Sequence, residues 1–218
     1  IFLCKFVFEK NYIQMKKIII FLIILVTVLL SCNNNDIGYN ADNKYSDLII
    51  QNIFSNKKEI PIITNKEEIY KILGAPKKTK SDMHINLLEN NKFVRYNSTH
   101  YIWDDFYYIE INGVLFLANI FFKNNKDIKL VAKKDIIFNK NTRMSFIKRK
   151  FPDSYNDRYA LSHYCSDYYP DDLKNDLIVV PFNTQYGTMI FYFYNNRLFY
   201  LDTGISIIES YKENHGKI

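Results

Sequence analysis

The chain predicts an α+β fold of two tandem units, each a short helix packed on an antiparallel sheet, after a disordered tether. Three observations carry this. Aromatic residues make up 17% and hydrophobic residues 48% of the 218 positions, the composition of a packed, strand-rich globule and not of a disordered chain. Two short helical patterns open on Thr64 and Thr142, 78 residues apart, and each is followed by a proline. After each helix, alternating apolar and polar residues are broken by tight-turn pairs, Asn112–Gly113 in the first unit and Asn195–Asn196 in the second.

Taken in chain order, residues 1–14 precede a natural start at Met15 and read as an over-extended reading frame, which sets Cys4 aside with them. Met15–Lys16–Lys17 leads into an apolar run, Ile18–Leu30, and then into Ser31–Cys32 and the polar Asn33–Asn34–Asn35–Asp36. The run has 13 residues, whereas a membrane-spanning helix needs ~20. No A-x-A-like site for the ordinary secretory peptidase is present. Leu29–Leu30–Ser31–Cys32 resembles the lipobox of a bacterial lipoprotein, with residues 15–31 as its signal peptide. The resemblance implies that the Cys32 thiol is diacylated, that the bond before it is cut, and that the partner of this end is a lipid bilayer. Several acyl chains hold a protein on a bilayer far more durably than one. Asn33 stands where an aspartate retains some such proteins at the inner membrane, so the expected location is the cell envelope, at the outer membrane. The alternative is an uncleaved anchor helix with an incidental cysteine.

From Cys32 onward 186 residues remain, enough for one large domain or two small ones. Four of the 29 basic and one of the 23 acidic residues lie before Cys32, so this part carries a net charge of +3. That balance is too mild to imply nucleic-acid binding, and none is expected. Lys77–Lys78, Lys80, Lys133–Lys134 and Lys148–Arg149–Lys150 read as solvated faces, with a secondary attraction to anionic headgroups. Cys165 is then the single thiol besides Cys32, so no intramolecular disulfide framework is expected.

Residues 32–55 form the lipidated N-terminus, the polar tether and a short segment, Tyr45–Phe54, whose apolar spacing suits an amphipathic helix, with a strand as the alternative. Unit 1 spans 56–138. Thr64 and Glu67 form a capping box, Ile69, Ile72 and Leu73 form one helix face, and Gly74 and Pro76 stop it. Strands follow at His84–Glu89, Phe93–Tyr96, Tyr101–Ile111 and Val114–Phe122, with turns at Asn90–Asn91 and Asn112–Gly113. Unit 2 spans 139–210. Thr142 opens its helix, Ile147 and Phe151 face inward, Pro152 ends it, and strands return at Leu177–Asn183, Thr188–Tyr194 and Arg197–Thr203. Residues 211–218 read as a tail.

The stretch Thr64–Asn65–Lys66–Glu67–Glu68–Ile69–Tyr70–Lys71–Ile72–Leu73–Gly74–Ala75–Pro76 resembles the helix motif of the SmpA/OmlA (BamE-like) outer-membrane lipoproteins, with Ile62 where that motif usually carries a glycine. Duplication of such a unit is similar to the architecture of β-lactamase inhibitory protein. The resemblance implies a protein-binding, non-enzymatic role.

Period-two alternation places Met189, Phe191 and Phe193, joined by Phe199 and Leu201, on one side of the last hairpin, and Tyr192, Tyr194 and Tyr200 on the other. Tyrosine offers large rigid area with one polar tip, so Tyr192, Tyr194 and Tyr200 are candidate protein-binding residues, unless a helix or loop covers them. Trp103, Phe106 and Tyr108 form a second candidate, and with the tyrosines would serve a glycan-binding module as a platform. Cys165, between His163 and Asp167, suggests a thiol enzyme or hydrolase as the alternative function, although no oxyanion cradle is recognisable. The acidic residues Asp153, Asp157, Asp167, Asp171, Asp172 and Asp176 lack a calcium-loop register, and His84, His100 and His215 lack metal-ligand spacing. No cofactor or metal is expected. The leading expectation is a membrane-tethered envelope protein that binds another protein, in envelope assembly or as an inhibitor or immunity factor.

Overall fold

The computed structural model describes residues 46–89, 92–122, 127–161, 177–216 and 218, and from Lys44 onward the chain forms one compact unit. The signal segment, Cys32, the tether, the Asn90–Asn91 turn, and Cys165 with His163, Asp167, Asp171, Asp172 and Asp176 lie outside the described residues. The fold is α+β and its ladders are antiparallel, with more strand than one short helix per sheet would suggest.

The segment before the first predicted helix is a strand, β1 (Ile50–Ser55), and not a helix. It pairs with β8 (Ile128–Ala132), Ile53 opposite Leu130, and a bulge between Ile50 and Asn52 shifts the side-chain phase. The bulge explains the helix-like spacing, because it buries Ile50 and Ile53 three positions apart within one strand. A two-residue turn, Asn56–Lys57, with both φ positive, leads to β2 (Lys58–Glu59), and β9 (Ile136–Phe138) completes a four-stranded sheet in the order β2-β1-β8-β9.

Helix α1 spans Lys66–Leu73, and its cap is Asn65, one residue later than expected. The Asn65 side chain accepts the Glu68 N–H at 2.9 Å. Thr64 belongs instead to β3 (Ile63–Thr64), opposite Leu115, and its hydroxyl donates to the Glu68 carboxylate at 2.6 Å. Asparagine caps at least as well as threonine, and a β-branched residue suits the strand, so the two functions separate. Glu67 pairs with Lys71 at 2.7 Å. Gly74, at φ 78°, closes the helix as expected.

Four strands then run as a meander: β4 (Lys78–Glu89), β5 (Lys92–Ile102), β6 (Phe106–Ile111) and β7 (Val114–Phe121). The expected continuous strand over Tyr101–Ile111 is broken at Trp103–Asp105, where the Trp103 N–H bonds the Phe106 carbonyl at 2.9 Å. Asn112 and Gly113, at φ 50° and 84°, make the β6–β7 turn with both positions left-handed, as Asn–Gly favours.

The second half repeats the order. Helix α2 spans Met144–Lys150 after the cap Arg143, while Thr142 instead accepts the Asn139 N–H at 2.9 Å. Ile147 and Phe151 are buried as expected. The helix ends before Pro152 as expected, and Pro152 then opens a separate short helix, α3 (Pro152–Asn156), at its first turn, where a missing N–H costs nothing. A second meander follows: β10 (Tyr159–Leu161), β11 (Leu177–Thr184), β12 (Gly187–Tyr194) and β13 (Arg197–Asp202), with Asn195 and Asn196 at φ 48° and 63° in the last turn. The expected tail is a helix, α4 (Ser206–His215), anchored by buried Ile207 and Ile208.

The two meanders join edge to edge through β13 and β7, with Leu201 opposite Ile120, giving the order β10-β11-β12-β13-β7-β6-β5-β4 with β3 added on β7. One core runs under both halves. Phe191 lies 5.0 Å from Phe138 and 4.7 Å from Phe182 between ring centroids, and in the first half Trp103 packs edge-on against Tyr70 and Tyr108 at 6.1 and 5.8 Å.

Candidate functional site

The alternation on the last hairpin separates two faces. Met189, Phe191, Phe193, Leu198 and Leu201 join the main core, whereas Ile190, Tyr192 and Tyr200 form a second cluster with Leu177 and Val179, flanked by Phe121, Tyr194 and Phe199. Tyr192 stands opposite Tyr200 with rings 5.1 Å apart, and Phe121 packs 4.8 Å from Tyr200. Phe199 departs from the expected pattern. Tyr192 pairs with Tyr200 while Phe193 pairs with Leu198, so Phe199 is the extra residue of a bulge and falls on the tyrosine side.

The structure therefore brings Tyr192, Tyr194 and Tyr200 together but does not leave them equally accessible: Tyr192 and Tyr200 are buried, and Tyr194 is half-buried at the rim. Trp103 and Tyr108 are a correction. They lie on the opposite, helix-packed face, within the core. The Trp103 indole donates to the Gly74 carbonyl at 3.1 Å and the Tyr108 hydroxyl donates to the Pro61 carbonyl at 2.6 Å, so both polar tips tie down the segments around α1. Phe106 is buried beside them. A platform built on these rings is ruled out by their burial, because a side chain that is spent on the core has no area left to offer a partner.

On the tyrosine side of the seam, Asp202 accepts the Gly204 N–H at 2.6 Å and the Asn119 amide at 3.1 Å, and burial pushes its carboxyl up to about 6 despite both bonds. A second polar chain is internal. Ser98 Oγ lies 3.0 Å from His100 Nε2, the Tyr107 hydroxyl bonds His100 Nδ1, and all three residues are buried. Burial, helped by the nearby Lys80 charge, holds the His100 imidazole below its usual range and so favours its neutral form. Among the described residues no group of three or more His, Cys, Asp or Glu is placed to hold a metal ion, and no helix is long and apolar enough to cross a membrane.

Ile49, Ile137, Tyr159 and Ile205 are exposed singly, and the two most exposed large apolar side chains among the described residues stand together at the far end of the β4–β5 hairpin. Leu88 and Phe93 stand directly opposite one another and are 54% and 74% exposed. Lys92 and Arg95 flank them. On the other side of the same hairpin, Lys212 of α4 bonds Tyr96 Oη at 2.8 Å and forms an ion pair with Glu89. That ion pair holds the Glu89 carboxyl below the usual carboxylate range and raises Lys212. Sequence reasoning missed this end of the molecule. The spacing of Ile207, Ile208 and Tyr211 with Gly216 behind them was the available signal for α4. No alternation marks Leu88 as exposed, since Leu87 and Leu88 are adjacent and either could face inward.

No protein-family model, curated protein or solved structure matches this chain.

Proposed function

We propose that the chain is a lipid-anchored protein of the bacterial cell envelope, held at the outer membrane through acylated Cys32, whose α+β domain is a non-catalytic protein-interaction module serving envelope assembly, inhibition or immunity. The repeated order of helix and four-stranded meander supports a further reading, that 56–138 and 139–210 are two copies of one unit fused along β7 and β13.

The observation that carries the interaction reading is the Leu88–Phe93 pair. A phenylalanine 74% exposed, opposite a leucine 54% exposed, is apolar area that folding has not used. An exposed apolar pair beside Lys92 and Arg95 supports the reading of this end as a contact surface. Half-buried Tyr194 and Phe199 at the edge of the tyrosine cluster offer additional aromatic area.

The test is a photo-cross-linking amino acid at position 93 in cells expressing the chain from Met15. A discrete protein adduct, lost when Leu88→Asp is added, is expected. Adducts to lipid alone, or none, would refute the interaction module. Labelling with an alkyne fatty acid tests the anchor: incorporation in the wild type and none in Cys32→Ala is expected, and equal labelling of both removes it.

A further inference from the structure

Strand β4 ends the large sheet, and among the described residues its ladder partner is β5 alone. An open edge invites pairing with another chain, and proteins block it with lysines and bulges. Here those devices sit only in the first part of the strand. Lys78 and Lys80 come first, and the bulge at Ser81–Asp82 follows, where Asp82 takes φ 58°. From Met83 to Leu88 the edge is regular in register and carries no acidic or basic side chain other than His84.

The two sides of this open stretch differ. Ile85 and Leu87 are buried, and Ile85 is opposite Tyr96, which Lys212 bonds, so α4 crosses on that side. His84, Asn86 and Leu88 are exposed on the other side, next to Phe93. Between α4 and the strand lies a cleft of about 440 Å³ lined by Leu87, Leu88, Glu209, Lys212, Glu213 and Gly216. Lys212 is balanced by Glu89. Glu209 and Glu213, one helical turn apart, leave the cleft net acidic.

We propose that the edge of β4 from Met83 to Leu88 takes an extended segment of a partner protein as an added strand. Its basic side chains, at alternate positions, meet Glu209 and Glu213, and the apolar side chains between them extend the Leu88–Phe93 pair. Main-chain bonds to the edge supply affinity and the two-sided pattern supplies selectivity, since successive side chains of a strand point to opposite faces. This rests on the interaction-module reading and names the chemistry of its partner.

The test uses the full chain and a fluorescein-labelled heptapeptide of alternating lysine and valine, read by anisotropy and by amide exchange. Saturable binding is expected, with slowed exchange across Met83–Leu88. Glutamate in place of lysine, N-methylation of alternate peptide bonds, and the variant Glu209→Gln/Glu213→Gln, checked for an unchanged melting curve, should each weaken binding about tenfold or more, equivalent to about 1.4 kcal/mol. Equal affinity of the N-methylated peptide, or protection elsewhere, overturns the proposal. So does protection of Leu88 and Phe93 by anionic vesicles but not by peptide, which assigns the hairpin to lipid. If the position-93 protein adduct persists while the lysine peptide fails, this inference alone falls; if both fail, the interaction module falls with it.

Discussion

Asp202 illustrates how much one residue at the seam is asked to do. Its carboxyl bonds both the Gly204 backbone and Asn119, tying β13 to β7, yet burial raises its pKa to about 6. A carboxyl raised above its unfolded value near 4 binds the proton more tightly when folded. Its contribution is therefore present at pH 4 and is lost as pH rises through about 6. Asp202→Asn keeps an acceptor oxygen without the charge. It should raise stability at pH 7 by about 1–2 kcal/mol, discounted for partial solvent access, and flatten the curve between about pH 4 and 6, as measured by urea denaturation. His100 works in the opposite sense. Its depressed pKa means that the unfolded state gains the proton first, so stability is complete above about pH 6.5 and falls below it. Gly187 tests sterics instead. At φ 90°, an added Cβ would lie 2.7 Å from Ser206 Cβ and 3.1 Å from its carbonyl oxygen. Gly187→Ala should cost about 2 kcal/mol or more by the same assay, through the left-handed backbone and the overlap with the start of α4.

Among the elements, hairpins were the most legible part of the sequence. Asn112–Gly113 and Asn195–Asn196 turn where their left-handed tolerance predicts, and the Phe and Tyr alternation on β12 assigns faces that the two clusters reproduce. Bulges were not legible. The one in β1 gave a strand the apolar spacing of a helix and the one in β13 turned Phe199 to the tyrosine side, because a bulge is set by the partner strand and neither left a residue signature. Helix starts were misplaced by a residue or two because Thr64 and Thr142 both serve neighbouring segments. In the second helix the missing cap comes from afar: the Asn196 side chain accepts the Met144 N–H at 3.2 Å from 52 residues away. Asn196→Ala should therefore lose both the φ of 63° and the cap, costing about 1–2 kcal/mol. Asn196→Gly restores the backbone alone and should recover part of that. Thermal melts of the two variants separate the terms.

At the scale of the molecule, the order of helix and meander is visible twice in the sequence, but the joining of both meanders into one large sheet is not. The seam is three residue pairs long, yet the core beneath it is continuous, with Phe138 of the small sheet packed on Phe182 and Phe191 of the second meander. A shared core predicts one cooperative unfolding transition. Tyr108→Phe, which removes the bond to Pro61, should cost about 1 kcal/mol. Phe182→Ala, in the other half, should cost about 3–5 kcal/mol. Calorimetry should show both shifting the same peak; two peaks responding separately would show that the halves fold independently.

The sequence by itself determined the α+β class, the Asn112–Gly113 and Asn195–Asn196 turns and the alternation along β12. These are local properties, written in propensity, spacing and charge. Only tertiary structure decided that Tyr45–Phe54 includes a strand, that Trp103 and Tyr108 are inside, and that Leu88 and Phe93 are outside. Burial depends on what a distant segment places against a side chain. For Trp103 that segment is α1, and for Leu88 no described element fills the role.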